Sequence, residues 1–263
     1  MTDSAVYYFD ALTKKIFALR DGNEPLSEVK GIHSFTSKFV GDVLLRKENN
    51  GDNPILGKGL NIGKDTLNDD ILFSFHGINS NGDSVTLVYD EAIGQFSSFY
   101  SAKPKIYIEN RNILLSPNPQ YPHNVYLHNH GDYGRFYGNI EECYVKLVIN
   151  PNADLNKVLR FLEFNSIVKD STGNIDRTKT VTAFKIDTQH QTTGKVLFSP
   201  NRFKHKFNKW RLKIPRDQNS VSKQGRLRNT YFVVTLYFDN NYPNDNKELI
   251  LNRLLSYYDV QIF

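Results

Sequence analysis

The sequence contains almost no sulfur: its 263 residues include one cysteine and one methionine. A single cysteine excludes an internal disulfide framework and any zinc site built from several cysteines. Because Cys143 lies within the apolar run CYVKLVI, we expect it to act as a small buried hydrophobic residue and not as a nucleophile.

Long apolar runs are missing as well. No segment reaches the roughly 18 apolar residues that a membrane helix requires, and no apolar signal-peptide core follows Met1. We therefore expect no membrane span, and we expect synthesis and folding in a cytoplasm.

Aromatic residues are abundant, with 15 Tyr and 18 Phe, and they favour the pleated surface of sheets. Short runs such as AVYYFD, ILFSFHG, SVTLVYD and TYFVVTLYF alternate with turn signals such as NSNGDS and DNNYPNDN. The pattern predicts an all-β protein.

One segment, residues 152–164 (NADLNKVLRFLEF), is a candidate helix. Its apolar residues fit a helical stripe that Asp154 could cap. Its second half, KVLRFLEF, also fits a strand, so both interpretations stay open.

Two stretches resemble each other, Tyr8 to Phe17 (YFDALTKKIF) and Val88 to Ser97 (VYDEAIGQFS). Their aspartates, Asp10 and Asp90, lie 80 positions apart, which two propeller blades of about 40 residues would fill. Chance similarity between two hairpins is the rival explanation. A propeller needs at least four blades, and residues 1–140 supply about three.

We therefore predict two domains. Residues 1–140 form an incomplete propeller-like β region that another chain or segment completes. Residues 141–263 form a C-terminal antiparallel β-sandwich-like domain. Open strand edges near Tyr7 and Phe17, and the apolar end YYDVQIF, should need partners, so the isolated chain should be insoluble, partly disordered or oligomeric.

The stretch HNHGDYGRFYG, residues 128–138, is the best candidate for a metal site. Histidine and carboxylate ligands would come from His123, His128, His130 and Asp132. Its asparagine and glycines instead favour the end of a strand followed by a tight turn, so we predict no bound metal.

Other catalytic signatures fail on spacing. GKGLNIGKDT, residues 57–66, has three residues where a phosphate-binding loop needs four, and we read it as a surface loop. No GxSxG elbow is present. We predict that the protein is not an enzyme, although carboxylates that converge from separate strands would leave a hydrolase open.

Positive charge is concentrated between Arg202 and Arg228, where ten Lys or Arg residues accompany one acid. In a strand, Trp210, Leu212 and Ile214 would face the core, and the intervening cations would face outward. The candidate interface residues are Trp210, Arg211, Lys213, Arg216, Arg226 and Arg228. A solvated face, a weak and sequence-indifferent contact with DNA, and a contact with an acidic neighbouring subunit all remain open.

Several of these stretches resemble one family. VYYFDALTKKIFAL, LHNHGDYGRFYG and KWRLKIPRD, with most of the remaining chain, are similar to the C-terminal part of the much longer stabilisation or muzzle proteins of crAss-like, short-tailed bacteriophages. The resemblance carries no catalytic residue and no cofactor.

The resemblance implies a structural subunit of the virion tail, assembled in the bacterial host cytoplasm. Copies would form a cyclic ring at the distal end of the tail, beside other tail proteins, and would help to retain and release the genomic DNA. The alternative is a carbohydrate- or receptor-binding β module of a phage tail, for which exposed aromatics such as Tyr121 and Tyr126 would flank a groove.

Overall fold

Strands dominate the computed structural model, which confirms the all-β prediction. The structure describes residues 5–20, 22–39, 59–77, 84–199, 201, 203–217, 219, 225–239 and 246–260. The chain divides into two compact units between Gly131 and Asp132. No helix within the described ranges is long and apolar enough to span a bilayer.

In the residues that the structure describes, the first unit contains three antiparallel sheets and two short helices. In chain order, its elements are β1 (Val6–Asp10), β2 (Lys15–Leu19), β3 (Asn23–Glu24), α1 (Leu26–Val29), α2 (His33–Phe39), β4 (Gly59–Asp65), β5 (Asp70–His76), β6 (Val85–Asp90), β7 (Gln95–Tyr100), β8 (Ile108–Asn110), β9 (Ile113–Pro117) and β10 (Val125–Leu127). The sheets are ordered β1-β2-β3, β4-β5-β6-β7 and β10-β9-β8.

The four-stranded sheet is covered on both faces, because β5 is buried along its whole length. Phe73 and Phe75 point to one face, where Tyr7 and Phe9 of β1 meet them edge-on. Leu72 points to the other face and packs with Leu114 of β9. The three sheets therefore stack like successive blades, and closure into a propeller stays a prediction.

One type of turn occurs three times in the described residues of the first unit. A carboxylate at the end of a strand accepts a hydrogen bond from a backbone N–H two or three residues later. The pairs are Asp10 with Leu12 N at 2.9 Å, Asp65 with Leu67 N at 3.1 Å, and Asp90 with Ile93 N at 2.8 Å. The similarity between the two stretches around Asp10 and Asp90 predicts the turns at these two residues. It does not include the turn at Asp65.

The residue four positions after each aspartate has a positive φ: Lys14 at 55°, Asp69 at 55° and Gly94 at 72°. Glycine adopts this conformation without strain, whereas the two side-chain-bearing residues adopt it at a cost. In the described residues, the 80 positions between Asp10 and Asp90 hold β2, β3, the two helices, β4, β5 and most of β6, so the two turns belong to adjacent stacked sheets.

The second unit contains twelve strands in the described residues. They are β11 (Arg135–Phe136), β12 (Asn139–Ile140), β13 (Cys143–Ile149), β14 (Lys157–Asp170), β15 (Ile175–Asp176), β16 (Ala183–Asp187), β17 (Val196–Leu197), β18 (Phe203–Lys206), β19 (Lys209–Lys213), β20 (Arg228–Asn229), β21 (Phe232–Phe238) and β22 (Lys247–Val260). One sheet has the order β13-β21-β16-β17. In the larger sheet β14 pairs with β22 along one edge and with β15, β19 and β20 along the other, while β18 pairs with β19.

The core of this unit lies between the two larger sheets, as the predicted sandwich-like region requires. Leu162 and Phe164 of β14 and Leu212 of β19 meet Phe184 of β16 and Val234 of β21. All five side chains are almost fully buried.

The candidate helix at residues 152–164 is a strand from Lys157 onward. Strand pairing on both edges of β14 outweighs the helical stripe, because alternation buries Leu162 and Phe164 together on one face. The Lys157 ammonium is buried and donates to the carbonyl oxygens of Asn152 and Leu155 at 2.8 and 2.9 Å, which fixes the loop before the strand.

The expectation for Cys143 is wrong, since its side chain is exposed. Within the described residues β13 pairs with β21 alone, so it lies at the edge of its sheet. Tyr144 and Val148 of the same strand are exposed as well. An apolar run indicates a strand, but it does not indicate whether another layer covers that strand.

Candidate cationic interface of the second unit

The β18–β19 hairpin places the predicted basic residues on one face. Its two-residue turn, Phe207–Asn208, has φ values of 53° and 57°, as a type I′ turn requires. The inward side chains are Phe203, Trp210 and Leu212, and Trp210 is 5% exposed. The outward side chains are Lys204, Lys206, Lys209, Arg211 and Lys213. The predicted alternation of β19 is therefore confirmed, with Ile214 packing against the same core.

Cations stand opposite one another across the hairpin. The register pairs Lys204 with Arg211 and Lys206 with Lys209. Like charges at directly opposite positions destabilise a hairpin. Among the residues that the structure describes, Lys204, Lys206 and Lys209 have no carboxylate partner.

Among the outward cations of this hairpin, Arg211 is the one that a carboxylate of the described residues neutralises. Its Nη2 lies 2.9 Å from Oε1 of Glu163 on β14, and its guanidinium lies 3.9 Å from the ring centroid of Phe161. Tyr257 of β22 stacks on Phe161 at 4.2 Å and donates to Glu163 at 3.0 Å. This hydrogen bond raises the pKa of the Tyr257 phenol. Glu163 is thus fully engaged, and the face keeps an excess of positive charge.

A cleft of about 180 Å³ opens where this face meets the loop after β19. Its lining is half cationic and half apolar: Arg160, Lys213, Arg216 and Arg226 with Leu159, Ile214, Pro215 and Leu227. Three predicted interface residues therefore come together. The fourth cation, Arg160 on β14, was missed by sequence reasoning and forms an ion pair with Asp259.

Two predicted interface residues lie elsewhere. Trp210 belongs to the core, where its ring stacks on His205 at 4.5 Å, and it lines a separate cleft. Arg228 is exposed on β20, and its backbone N–H donates to Gln191 Oε1 at 2.7 Å. Residue 202, the first cation of the basic segment, lies outside the described residues.

The histidine stretch is the end of a strand followed by a turn, as predicted. β10 ends at Leu127, and Asn129, Gly131 and Gly134 all have positive φ. Within the described ranges no three side chains of metal-ligating type converge. His128 instead packs inside the first unit with Nε2 2.6 Å from Ser116 Oγ, and burial lowers its pKa.

The serine and histidine of this pair do not form a hydrolytic site, because Ser116 is fully buried. Asn129 next to them donates its amide to Asp65 at 2.6 Å, which ties the loop to the turn after β4. The aromatics of the receptor-binding alternative are separate: Tyr121 is exposed and lies edge-on to His123, whereas Tyr126 is half-buried in β10.

The glycine-rich stretch is not the surface loop that we expected. Residues 59–65 form β4, and Gly57 lies outside the described residues. A Cβ atom at Gly63 would stand 2.5 Å from Cγ of Tyr107. The glycine therefore permits close packing of a strand against an aromatic ring.

Comparison with known proteins identifies the family. The family model described as Crassvirus muzzle protein matches residues 1–120, and the model described as Crassvirus muzzle protein C-terminal domain matches residues 131–217. The chain belongs to the crassvirus muzzle protein family. The C-terminal-domain match covers the β18–β19 hairpin, Lys213 and Arg216, and it stops before Arg226.

A relative in this family is the muzzle protein of Bacteroides phage crAss001, which is 26% identical over 200 residues. The alignment covers 74% of this chain and 13% of the phage crAss001 protein. The chain thus spans a small fraction of the length of its relative. The first unit and the start of the second correspond to the two family models, with the gap between the models close to the division at Gly131.

Proposed function

We propose that the chain is a structural subunit of the virion tail of a crAss-like bacteriophage. The observation that carries this proposal is the match of two muzzle-protein models to consecutive parts of one chain. The fold supports it, because stacked and facing β layers form a rigid scaffold whose exposed surfaces can contact neighbours. A structural role in place of catalysis is part of the proposal.

In this proposal the cationic hairpin face is a contact surface within the tail. An acidic neighbour would relieve the repulsion between Lys204 and Arg211 and between Lys206 and Lys209, since only Arg211 of these four has a carboxylate partner among the described residues. The partners would be other tail proteins, further copies of the chain in a cyclic ring, and a separate chain or segment that completes the first unit. Helping to retain and release genomic DNA is the corresponding role at the distal tail.

Direct contact with DNA would be secondary. A solvent-exposed face of lysines binds phosphates through counterion release, so binding should be weak, indifferent to sequence and lost as salt rises. Fluorescence anisotropy with two unrelated duplexes at low and physiological salt would test this. Tight and sequence-selective binding at physiological salt would contradict it.

The proposed function is tested by quantitative mass spectrometry of purified virions. Heavy-isotope peptides from both units would give the copy number of the chain relative to the capsid protein. We expect a small fixed number per virion, with both units in equal amounts. A phage replication enzyme, abundant in infected cells, serves as the control for contamination. Peptides found in infected cells and depleted from virions to the level of this control would overturn the proposal.

A further inference from the structure

The cleft between β14 and the loop after β19 has the composition of an anion site. Its four cations come from two parts of the chain: Arg160 lies on β14, whereas Lys213, Arg216 and Arg226 lie between the end of β19 and the approach to β20. Folding therefore brings together charges that repel one another, and such a cluster is most stable when an anion lies among them.

Among the residues that the structure describes, internal carboxylates neutralise this cleft only in part. Asp259 pairs with Arg160, and both side chains are close to half exposed, so solvent screens the pair. Lys213 and Arg226 form no ion pair with any residue that the structure describes. The sequence between Asp217 and Gly225, QNSVSKQ, contains no acid.

The carboxylate that follows Arg216 in the sequence, Asp217, is turned to other partners. Asp217 is buried and is not part of the cleft lining. Its Oδ1 accepts the backbone N–H groups of Thr192 and Asn219 at 3.1 and 3.0 Å. It fixes the loop that carries Arg216 and does not occupy the space between the cations.

The floor of the cleft is apolar. Leu159, Pro215 and Leu227 are buried, and Ile214 packs against the core. An apolar floor excludes water from one side of an anion and strengthens its attraction to the surrounding cations. The volume of about 180 Å³ is several times the roughly 30 Å³ that a water molecule occupies in the liquid, so a phosphate group with some of its water fits.

We propose that this cleft binds a phosphate group. Three arginines and a lysine suit a phosphate group, because a tetrahedral, multiply charged acceptor can receive hydrogen bonds from several cations at once. The group can be free inorganic phosphate or a phosphodiester of nucleic acid, which share this chemistry. The inference does not depend on the proposed tail function, since a phosphate site would exist whether or not the chain is a virion component.

The test is calorimetric titration of the full chain with inorganic phosphate, with sodium chloride adjusted to hold ionic strength constant. We expect saturable binding with one site per chain. The double variant Lys213→Gln/Arg226→Gln should lower the affinity by about tenfold or more, because it removes two charged donors. The matched control is Lys103→Gln/Lys146→Gln, which removes the same charge from exposed positions outside the cleft and the hairpin face and should leave the affinity unchanged.

A second titration identifies the source of the phosphate. A thymidine dinucleotide offers one phosphodiester, and thymidine alone offers none. Binding of the dinucleotide, absent for thymidine and lost in the Lys213→Gln/Arg226→Gln variant, would assign the site to nucleic acid. Binding of inorganic phosphate alone would assign it to the free ion. Two outcomes would overturn the proposal. One is a heat signal that rises linearly with phosphate and does not saturate. The other is an equal loss of affinity in both double variants when their melting curves are unchanged.

Discussion

The two units treat their charged groups differently. In the first unit, polar side chains satisfy one another: Tyr7 donates to Glu91 at 2.7 Å, Lys64 pairs with the same carboxylate at 2.9 Å, and burial raises the pKa of the Tyr7 phenol. In the second unit, the β18–β19 hairpin sets cation opposite cation and leaves most of them unpaired among the described residues. The paired charges help to complete the fold of the first unit, whereas we propose that a partner neutralises the hairpin cations.

The largest loss of stability should come from a substitution between the stacked sheets of the first unit. Phe73→Ala removes a fully buried ring that meets Tyr7 edge-on, and it should lower the free energy of unfolding by about 3–5 kcal/mol. Ile93→Ala is the control, because Ile93 is exposed at a turn and should change stability by less than about 0.5 kcal/mol. Urea denaturation followed by circular dichroism measures both. Similar losses for the two variants would contradict the stacked arrangement.

The aspartates of the three repeated turns should differ in how much they contribute to the free energy of unfolding. Asp65→Ala removes a buried acceptor of hydrogen bonds from Leu67, Asn68 and Asn129, at a cost of about 1–3 kcal/mol. Asp10→Ala removes an exposed acceptor and should cost clearly less. Denaturation curves of the two variants give the ranking. An equal or larger loss for Asp10→Ala would show that the turn alone, and not its link to the histidine stretch, determines the contribution.

The hairpin turn of the second unit should gain stability from a substitution. Phe207 is 85% exposed and has a positive φ, which a bulky side chain adopts only with strain. Phe207→Asn keeps the turn type and should stabilise the second unit by about 1 kcal/mol. Fluorescence of Trp210, the single tryptophan of the chain, reports unfolding of this unit. A loss of stability would mean that the Phe207 ring has a folded-state contact that outweighs the strain.

Acid should weaken the first unit before the second. Burial lowers the pKa of His76 and His128, so both stay neutral when folded and bind a proton when the chain unfolds. Protons then favour the unfolded state, and stability falls as pH drops below about 6.5. His190 and His205 of the second unit are exposed.

Two probes distinguish the unfolding of the two units between pH 7.5 and 5.5. Circular dichroism follows both units, and Trp210 fluorescence follows the second. We expect the dichroism midpoint in urea to shift lower while the fluorescence midpoint holds. His128→Gln should reduce the shift. A parallel shift of both midpoints would refute the assignment to buried histidines.

The fold and the candidate site could be predicted from the sequence where a local pattern decides the structure. The alternation of KWRLK is enough to assign Trp210 to the core and Arg211 to the surface. The asparagine and glycines after Leu127 are enough to predict a turn, since they favour positive φ. Both signals lie within a few residues of the feature that they predict.

The failures concern contacts between distant segments. Arg160 joins the cleft only because β14 is a strand in register with β19, and the same residues also fit a helix. The role of Gly63 depends on Tyr107, 44 positions further on. The turn at Asp65 was missed because Lys64 stands where the other two copies have an aromatic residue.

The central claim is that the cationic hairpin face is covered within the virion. Amine-reactive acetylation of intact virions, quantified by mass spectrometry, measures this at Lys204, Lys206 and Lys209. Virions disrupted before labelling provide the reference for each lysine. We expect acetylation of these three lysines to fall severalfold in intact virions relative to disrupted ones. Equal labelling in both states would show that the face is exposed to solvent in the assembled particle, and it would contradict the account.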